Sequence, residues 1–408
     1  MRGFTYSVVA SALHDPASLD ALLAPITGKL ESLDGRRAEA ADLELHTPHV
    51  IVVATGGTEA AVLDIVRRRH LHAPWEPVVL IAHALHNSLP AALEAMAAVR
   101  RLGVAGRIVQ VGDAGEPERS IRDLAAVHWF QHARLGLVGE PSEWLVASVP
   151  DRAGLRRRWG LDLVDIPVDE AIRHHADAPD VDVQPVALRY SGGREPSRDT
   201  IVAAAMHPTL EKVIEAHRVD AVAVRCFDFI TDLQTSGCIA LAELNDTGVV
   251  AGCEGDVAST VAMMVARQVL DQPAWIANPA RIDAEAGEIV LAHCTVAPSM
   301  VDDIELHTHF ESGLGIGLRG RFSPGPVTLM RFGGDELERH WIAEAEIVES
   351  GSSDDMCRTQ VLLRGVYGLD ELLDEPLGNH LVMVHGHHRR RLERWLWLAR
   401  PDSVVRSG

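Results

Sequence analysis

The sequence predicts an α/β protein in which open-sheet α/β domains come first and a β-rich domain comes last. Up to about residue 140, short apolar runs alternate with helical periodicity, a pattern that is typical of a parallel sheet covered by helices. Beyond about residue 298, strand-like runs are joined by Gly and Pro turns. No long helical pattern returns there before RRRLERWLWLAR, so this part is predicted to form a small barrel with a terminal helix.

Each predicted domain is defined by its own strand-like and helical segments. Domain 1–140 has the strands FTYSVVAS, HVIVVATGG, PVVLIAHAL and GRIVQVGD, and the helices EAAVLDIVRRRHL, LPAALEAMAAVRRLG and IRDLAAVHWFQHARLG. Domain 141–298 includes a surface connection at 177–185, a long helix IVAAAMHPTLEKVIEAH, a strand AVAVRCFDF and a helix CIALAELND. Domain 299–408 contains GIGLRGRFSPGPVTLMRFGG, RHWIAEAEIVES, RTQVLLRGV and NHLVMVHG as strand-like segments.

Composition excludes several classes of function. Hydrophobic residues make up 47% of the 408 residues and charged residues 24%, which is typical of a globular chain. The net charge of −20 argues against a nucleic-acid partner, because phosphate binding needs a basic surface. No apolar run approaches the roughly 20 residues that span a membrane. The five cysteines lack a CxxC pair, so we expect reduced core residues of a cytoplasmic protein.

The chemistry is expected in the stretch Val249–Ser299. Its three apolar runs each end near a polar side chain, namely Glu254, Asn278 and His293, and His380 opens a later apolar run. Loops at the edge of a rigid sheet commonly carry metal ligands and acid/base groups. A carboxylate, an amide oxygen and an imidazole suit a borderline divalent cation such as Mn²⁺.

Taken singly, these residues also have structural interpretations. Asp256 is placed to cap the helix that follows it, and we favour that interpretation, since an acidic residue is favourable at a helix N-terminus. Glu254 differs, because a lone carboxylate at the end of an apolar strand is costly without a cation. His293 and His380 each also fit a hydrogen-bonded core histidine.

Three segments resemble the L-fucose and L-arabinose isomerases. Glu254 heads EGDVASTVAMMVARQVL, and Asn278 stands twenty-four positions later, where the family has a carboxylate. AHCTVAPS is similar to the family segment with a histidine ligand, which places His293, and GNHLVMVHG is similar to the late segment that places His380. The match is closest from Ala221 to Ala297.

The resemblance implies a fold, a reaction and a cofactor. The fold would be two open-sheet α/β domains and a β-rich C-terminal domain, in a homo-oligomer with its active site near a subunit interface. The reaction would be aldose–ketose isomerisation of a small sugar through an enediolate, with a Lewis acid and a positioned base. Glu254 and Asp256 would be catalytic. Mn²⁺ or another divalent cation would be held by Glu254, Asn278, His293 and His380.

Asn278 departs from the family pattern, because an amide cannot take the proton that the second acid exchanges. Either another carboxylate serves, with Asp256, Asp228 and Asp283 as candidates, or the reaction differs.

Substrate binding is predicted for Arg225, Asp228 and Arg331. These arginines and Arg281 are placed to hold an oxyanion on the sugar, or else form ordinary ion pairs. Two other functions stay open: a metal-dependent sugar epimerase or lyase, and a non-catalytic sugar-binding protein of the same fold.

Overall fold

The computed structural model describes residues 3–39, 42–43, 46–112, 115–176, 183–399 and 404–406. The chain divides into two compact units, Met1–His132 with Arg394–Asp402, and Ala133–Glu393 with Ser403–Gly408. The three-domain division drawn from the sequence remains a prediction. None of the described helices is long and apolar enough to cross a membrane.

The first unit is a parallel five-stranded sheet with strand order β2-β1-β3-β4-β5. All four strands and three helices predicted for this region are present, and the sequence analysis missed α1 and β2. The elements are β1 (Phe4–Val9), α1 (Pro16–Ser32), β2 (Gly35–Arg37), β3 (His49–Val53), α2 (Glu59–His72), β4 (Val78–Ala82), α3 (Ser88–Arg101), β5 (Gly106–Gln110) and α4 (Glu116–Phe130).

The central strand β3 shows why this sheet is buried on both faces. Val50 and Val52 pack into one core, and Ile51 and Val53 pack into another. Since side chains alternate along a strand, an unbroken apolar run supplies both cores.

The second unit begins with a parallel four-stranded sheet of order β7-β6-β8-β9. Its elements are β6 (Arg134–Val138), α5 (Arg152–Trp159), β7 (Asp162–Ile166), α6 (Val168–Ala176), α7 (Gln184–Tyr190), α8 (Arg198–Ala204), α9 (Met206–His217), β8 (Ala221–Val224), α10 (Phe227–Leu233), α11 (Cys238–Thr247), β9 (Val250–Gly252) and α12 (Val257–Val265), which continues as a π-helical turn over Ala266–Leu270.

Two details of this region differ from the sequence analysis. The helix predicted over IVAAAMHPTLEKVIEAH is divided into α8 and α9, because Pro208 has no N–H to donate to the carbonyl of Ala204. Of the predicted surface connection, residues 177–182 lie outside the described residues, and residues 184–185 begin α7.

The rest of the second unit is β-rich, as predicted. Its elements are β10 (Trp275–Asp283), β11 (Glu288–His293), a 3₁₀ turn (Pro298–Met300), β12 (Asp303–His307), β13 (Gly317–Arg321), β14 (Gly325–Gly333), β15 (Arg339–Ser350), β16 (Thr359–Arg364), α13 (Leu369–Asp374), β17 (Leu381–His385), α14 (Arg389–Ala399), whose residues from Arg394 belong to the first unit, and β18 (Val404–Arg406). The sheet order is β14-β17-β10-β11-β16-β15-β18.

This sheet closes on itself, because β14 pairs with β15 as well as with β17. Six antiparallel strands therefore form a barrel, which removes exposed sheet edges. The barrel takes in β10 and β11, which lie before the predicted start of the third domain at residue 299. The five cysteines are free, as predicted, although Cys357 is only half-buried.

Candidate metal centre

The turn that follows β9 presents Glu254. This residue has a φ of +61°, in the left-handed region that non-glycine residues seldom adopt, and Gly255 follows with a φ of +70°. Two hydrogen bonds hold the turn: the Ser142 N–H donates to the Glu254 carbonyl at 3.0 Å, and the Gly255 N–H donates to the Val224 carbonyl at 2.9 Å. A side chain at Gly255 would meet Pro141 at 2.9 Å, so the chain also needs glycine there for space. Strained backbone of this kind is found at functional sites.

The barrel supplies two imidazoles to the same place. His293 ends β11, and His380 immediately precedes β17, with β10 lying between the two strands. Glu254 Oε1 lies 3.7 Å from His293 Nε2 and 3.5 Å from His380 Nε2. One ligand atom from each residue lies within 4.8 Å of the others, and all three side chains are buried. We call Glu254, His293 and His380 the candidate metal centre.

Asp256 lies directly behind this centre and is fully buried. It caps α12, as the sequence analysis favoured, by accepting a hydrogen bond from the Ser259 N–H at 2.8 Å. Its Oδ2 also accepts from His380 Nδ1 at 2.9 Å and from Arg331 Nη1 at 3.1 Å. Because the carboxylate can only accept, it fixes the hydrogen of His380 on Nδ1 and leaves Nε2 towards Glu254.

The charges of the cluster shift the pKa values in opposite directions. Burial raises the pKa of Glu254, but contacts with His293 and His380 outweigh it and hold the pKa well below the usual range. Burial likewise raises the pKa of Asp256, and Arg331 and His380 bring it below normal. Burial lowers the pKa of His380, but the hydrogen bond to Asp256 and the nearby charge of Glu254 prevail and raise it to about 9. The two carboxyl groups are therefore ionised at neutral pH.

The donor set fits a divalent cation. His380 Nε2 is buried and has no hydrogen-bond partner among the described residues, so a bound ion can take the place of its proton. A metal-bound imidazole usually donates its other N–H to a carboxylate or carbonyl, which is what His380 does with Asp256. Carboxylate and imidazole ligands suit Mn²⁺ among other first-row ions.

Arg331 is fully buried behind Asp256. Its guanidinium donates to Asp256 and Ser259, to the Leu377 carbonyl at 3.3 Å and to the Ser148 hydroxyl at 2.6 Å. Its partners in the structure are thus protein groups, which favours the ion-pair alternative over a contact with substrate.

Arg225 and Asp228 form an ion pair at 2.9 Å, and Arg225 also bonds to Glu143 at 2.5 Å. They line a cavity of about 800 Å³, together with residues that follow β6 and β7. The carboxyl ends of parallel strands are where open α/β sheets bind ligands. Their predicted contact with substrate remains a prediction.

Asn278 belongs to the strand between the two histidines and pairs with Ala292 in the β10–β11 ladder. Its side-chain oxygen accepts from Asn379 Nδ2 at 3.4 Å, and the residue is only half-buried. The predicted ligand role of Asn278 is therefore still a prediction.

Sequence analysis missed three neighbours of the centre. The indole N–H of Trp144 donates to Glu254 Oε2 at 2.6 Å. His309 is buried, and burial together with the charge of His293 lowers its pKa to about 4. Glu311 is exposed, but partial desolvation and the negative charge of Glu254 raise the pKa of its carboxyl group. His307, His309 and Glu311 stand at every second position from the end of β12 towards β13. This spacing of polar side chains was the sequence signal from which His309 and Glu311 could have been identified.

The comparisons with known proteins point to sugar isomerases. No model of a known protein family matches the sequence. The chain is 24% identical to the sulfoquinovose isomerases of Priestia aryabhattai and Priestia megaterium (strain ATCC 12872 / QMB1551) over 182 residues, which is 43% of this chain and 41% of each relative. It is 24% identical to the sulfoquinovose isomerase of Clostridium sp. (strain MSTE9) over 271 residues, 63% of this chain and 59% of the relative. The matches thus span from about two fifths to three fifths of the relatives' length.

Proposed function

We propose that this protein is a metal-dependent aldose–ketose isomerase acting on a sugar. The observation that carries the proposal is the convergence of Glu254, His293 and His380, with His380 oriented by a buried carboxylate. The three relatives named sulfoquinovose isomerase support the same reaction class. Their name also makes sulfoquinovose, a sugar that carries a sulfonate, the first substrate to test.

Glu254, His293 and His380 would hold the ion, with Mn²⁺ as the first candidate. A bound divalent cation supplies a Lewis acid that polarises neighbouring sugar oxygens and stabilises an enediolate. Glu254 is ionised by its surroundings, which suits binding of a cation. We keep it also as the base that takes a proton from the carbon next to the carbonyl. Asp256 acts by orienting His380, because its oxygens are already engaged by Ser259, Arg331 and His380.

We assign Glu311 as the second acid, because the other candidates are engaged elsewhere. Asp228 is paired with Arg225. Asp283 accepts the Ala286 N–H in the exposed turn that ends β10. Glu311 is exposed to solvent, and partial desolvation together with the negative charge of Glu254 raises the pKa of its carboxyl group, which suits a group that gives and takes a proton. Replacing Glu311 with Gln should lower kcat by about 100-fold or more, as loss of a general acid or base does, with metal content unchanged.

The deciding experiment uses protein stripped with chelator, refilled with Mn²⁺ and incubated with sulfoquinovose, glucose or a 6-deoxyhexose. The wild-type protein should form the ketose, identified by NMR, and Glu254→Gln should abolish turnover while the far-UV spectrum stays unchanged. A C2 epimer or a cleavage product would instead establish an epimerase or a lyase. Full activity in Glu254→Gln would contradict the assignment.

Oligomeric state and location are also proposals. We propose a homo-oligomer with its active site near a subunit interface, located in the cytoplasm. Light scattering of the purified protein tests the first, and cell fractionation tests the second.

A further inference from the structure

The loop after β6 carries a half-exposed tryptophan. Trp144 exposes 50% of its surface, and Val146 in the same loop exposes 88%. An indole usually places its N–H against a polar partner while its ring remains apolar. The partner here is the buried carboxylate of Glu254.

This loop holds Glu254 by both its backbone and its side chain. The Ser142 N–H bonds to the Glu254 carbonyl at 3.0 Å, and the Trp144 indole bonds to Oε2 at 2.6 Å. The other oxygen, Oε1, is the one nearest to His293 and His380. The two oxygens of one carboxylate are thus divided between the loop and the candidate metal centre.

The loop is itself fixed in place. Arg225 donates from Nη1 to the Pro141 carbonyl at 3.2 Å and from Nη2 to Glu143 at 2.5 Å. The Trp144 ring packs edge-on against Phe227 with centroids 5.0 Å apart, and Phe227 packs against His309 at 5.3 Å. Trp144 therefore approaches Glu254 from a supported position, as a precise site requires.

We propose that Trp144 is the positioning residue of the metal centre: its N–H holds Oε2, so that Glu254 offers the ion Oε1 alone. A carboxylate that binds through one oxygen occupies one coordination position and leaves others for two sugar oxygens. This inference rests on the proposed metal site. It concerns a residue that touches a ligand and does not itself bind the ion.

The first test measures Mn²⁺ affinity by calorimetry on chelator-stripped protein. Trp144→Phe keeps an aromatic ring against Phe227 and removes the N–H donor, and we expect about tenfold weaker binding, the lower end of what outer-shell changes cost. Trp397→Phe is the matched control, because Trp397 is 44% exposed and its ring lies over Arg100. The control should bind Mn²⁺ as the wild-type protein does.

The second test reads Trp144 directly through its fluorescence. Mn²⁺ is paramagnetic and quenches an indole at short range, whereas Mg²⁺ does not. Of the eight tryptophans, Trp144 donates to a proposed ligand. Mn²⁺ should therefore quench the wild-type protein and Trp397→Phe, and most of this quenching should be lost in Trp144→Phe. This quenching shows that the ion lies next to Trp144, and the loss of affinity in the first test shows that the N–H positions its ligand.

The outcomes separate the two proposals. If the wild-type protein binds Mn²⁺ and Trp144→Phe binds it within about twofold, well short of an outer-shell effect, the positioning role is wrong and the metal site stands. If the wild-type protein binds no Mn²⁺, both are overturned. Should Trp144→Phe have a lowered unfolding midpoint, Trp144→Leu, which is also apolar and also lacks a donor, replaces it with the same expected loss of affinity.

Discussion

Each of the two units contains a buried carboxylate that accepts hydrogen bonds from an arginine and a histidine. In the first unit, Glu76 accepts from Arg69 Nη2 at 2.7 Å and lies 2.6 Å from His128 Nε2. In the second, Asp256 accepts from Arg331 Nη1 at 3.1 Å and from His380 Nδ1 at 2.9 Å. All six side chains are buried, so in both clusters a buried carboxylate charge is balanced by an arginine and a histidine.

The clusters differ in what the second nitrogen of each histidine faces. His128 Nδ1 and His380 Nε2 both have no hydrogen-bond partner among the described residues. The His128 ring packs edge-on against Trp75 with centroids 4.6 Å apart, whereas His380 Nε2 lies 3.5 Å from Glu254 Oε1. A buried imidazole nitrogen without a partner therefore indicates a metal site only where a carboxylate and a second imidazole converge on it.

The largest effect on Mn²⁺ binding is expected from replacing a histidine of the candidate metal centre. Replacing His293 or His380 with Ala should weaken Mn²⁺ binding by more than about 100-fold, because outer-shell changes alone cost roughly 10–100-fold. His128→Ala is the matched control and should keep the wild-type affinity. Metal content after gel filtration, measured by atomic absorption, distinguishes the two groups. Loss of the ion in His128→Ala, or its retention in His380→Ala, would reverse the assignment of the clusters.

A second substitution separates stability from metal binding. Glu76→Gln and Asp256→Asn each remove the buried negative charge that pairs with Arg69 or Arg331, so each should lower the free energy of unfolding by about 3–5 kcal/mol. Asp256→Asn should in addition weaken Mn²⁺ binding by about 10–100-fold, because it releases the imidazole of His380. Urea unfolding and calorimetry of the same preparations measure both quantities. Equal Mn²⁺ affinity in the two variants would show that Asp256 serves stability alone.

The sequence predicted strands well where a segment has one clear pattern of apolar residues. The run HVIVV reads as a buried parallel strand, and it forms β3 with all five residues buried. The sequence analysis missed α1, whose helix contains Pro25, and the three-residue strand β2. Closure of the barrel was expected from the density of strand-like runs, but the pairing of β14 with β15 depends on contacts that no local pattern encodes.

The candidate site, too, could be predicted only where a local pattern marks its residues. Glu254 and His293 were recognisable because each follows or ends an apolar run, and His380 because it opens one; the fold brings these three positions together. Trp144 left no such signal, since it is 110 residues from Glu254 in the chain and its loop has no periodic pattern. Arg331 was predicted to bind substrate from its charge, and its complete burial became visible only with the barrel around it; the contact with substrate is still a prediction.

The first cluster should also make the stability of the protein depend on pH, through His49. His49 donates its backbone N–H to Glu76 at 3.2 Å, and burial lowers the pKa of its ring from 6.5 to about 4. Between these values the unfolded chain binds a proton that the folded protein does not, so stability falls as the pH drops below 6.5. From about pH 7 to about pH 5 the loss should be about 2 kcal/mol.

His49→Gln removes this titration and should flatten the dependence by that amount. Urea unfolding of both proteins at the two pH values provides the measurement. The groups of the candidate metal centre titrate alike in both proteins, so their contribution cancels when the two pH dependences are compared. An unchanged slope in His49→Gln would mean that burial does not lower the pKa of the ring.

The smallest expected effect concerns Asn278, the predicted fourth ligand. Its amide oxygen is bonded to Asn379, and the side chain is half-buried, so it lacks the support that Asp256 gives to His380. Asn278→Ala should therefore change Mn²⁺ affinity by less than about threefold, below the range for an outer-shell partner. Calorimetry against Asn379→Ala, which removes the other member of the pair, provides the control. A loss as large as that in His293→Ala would instead add Asn278 to the ligand set, and the centre would then hold its ion with one carboxylate, one amide and two imidazoles.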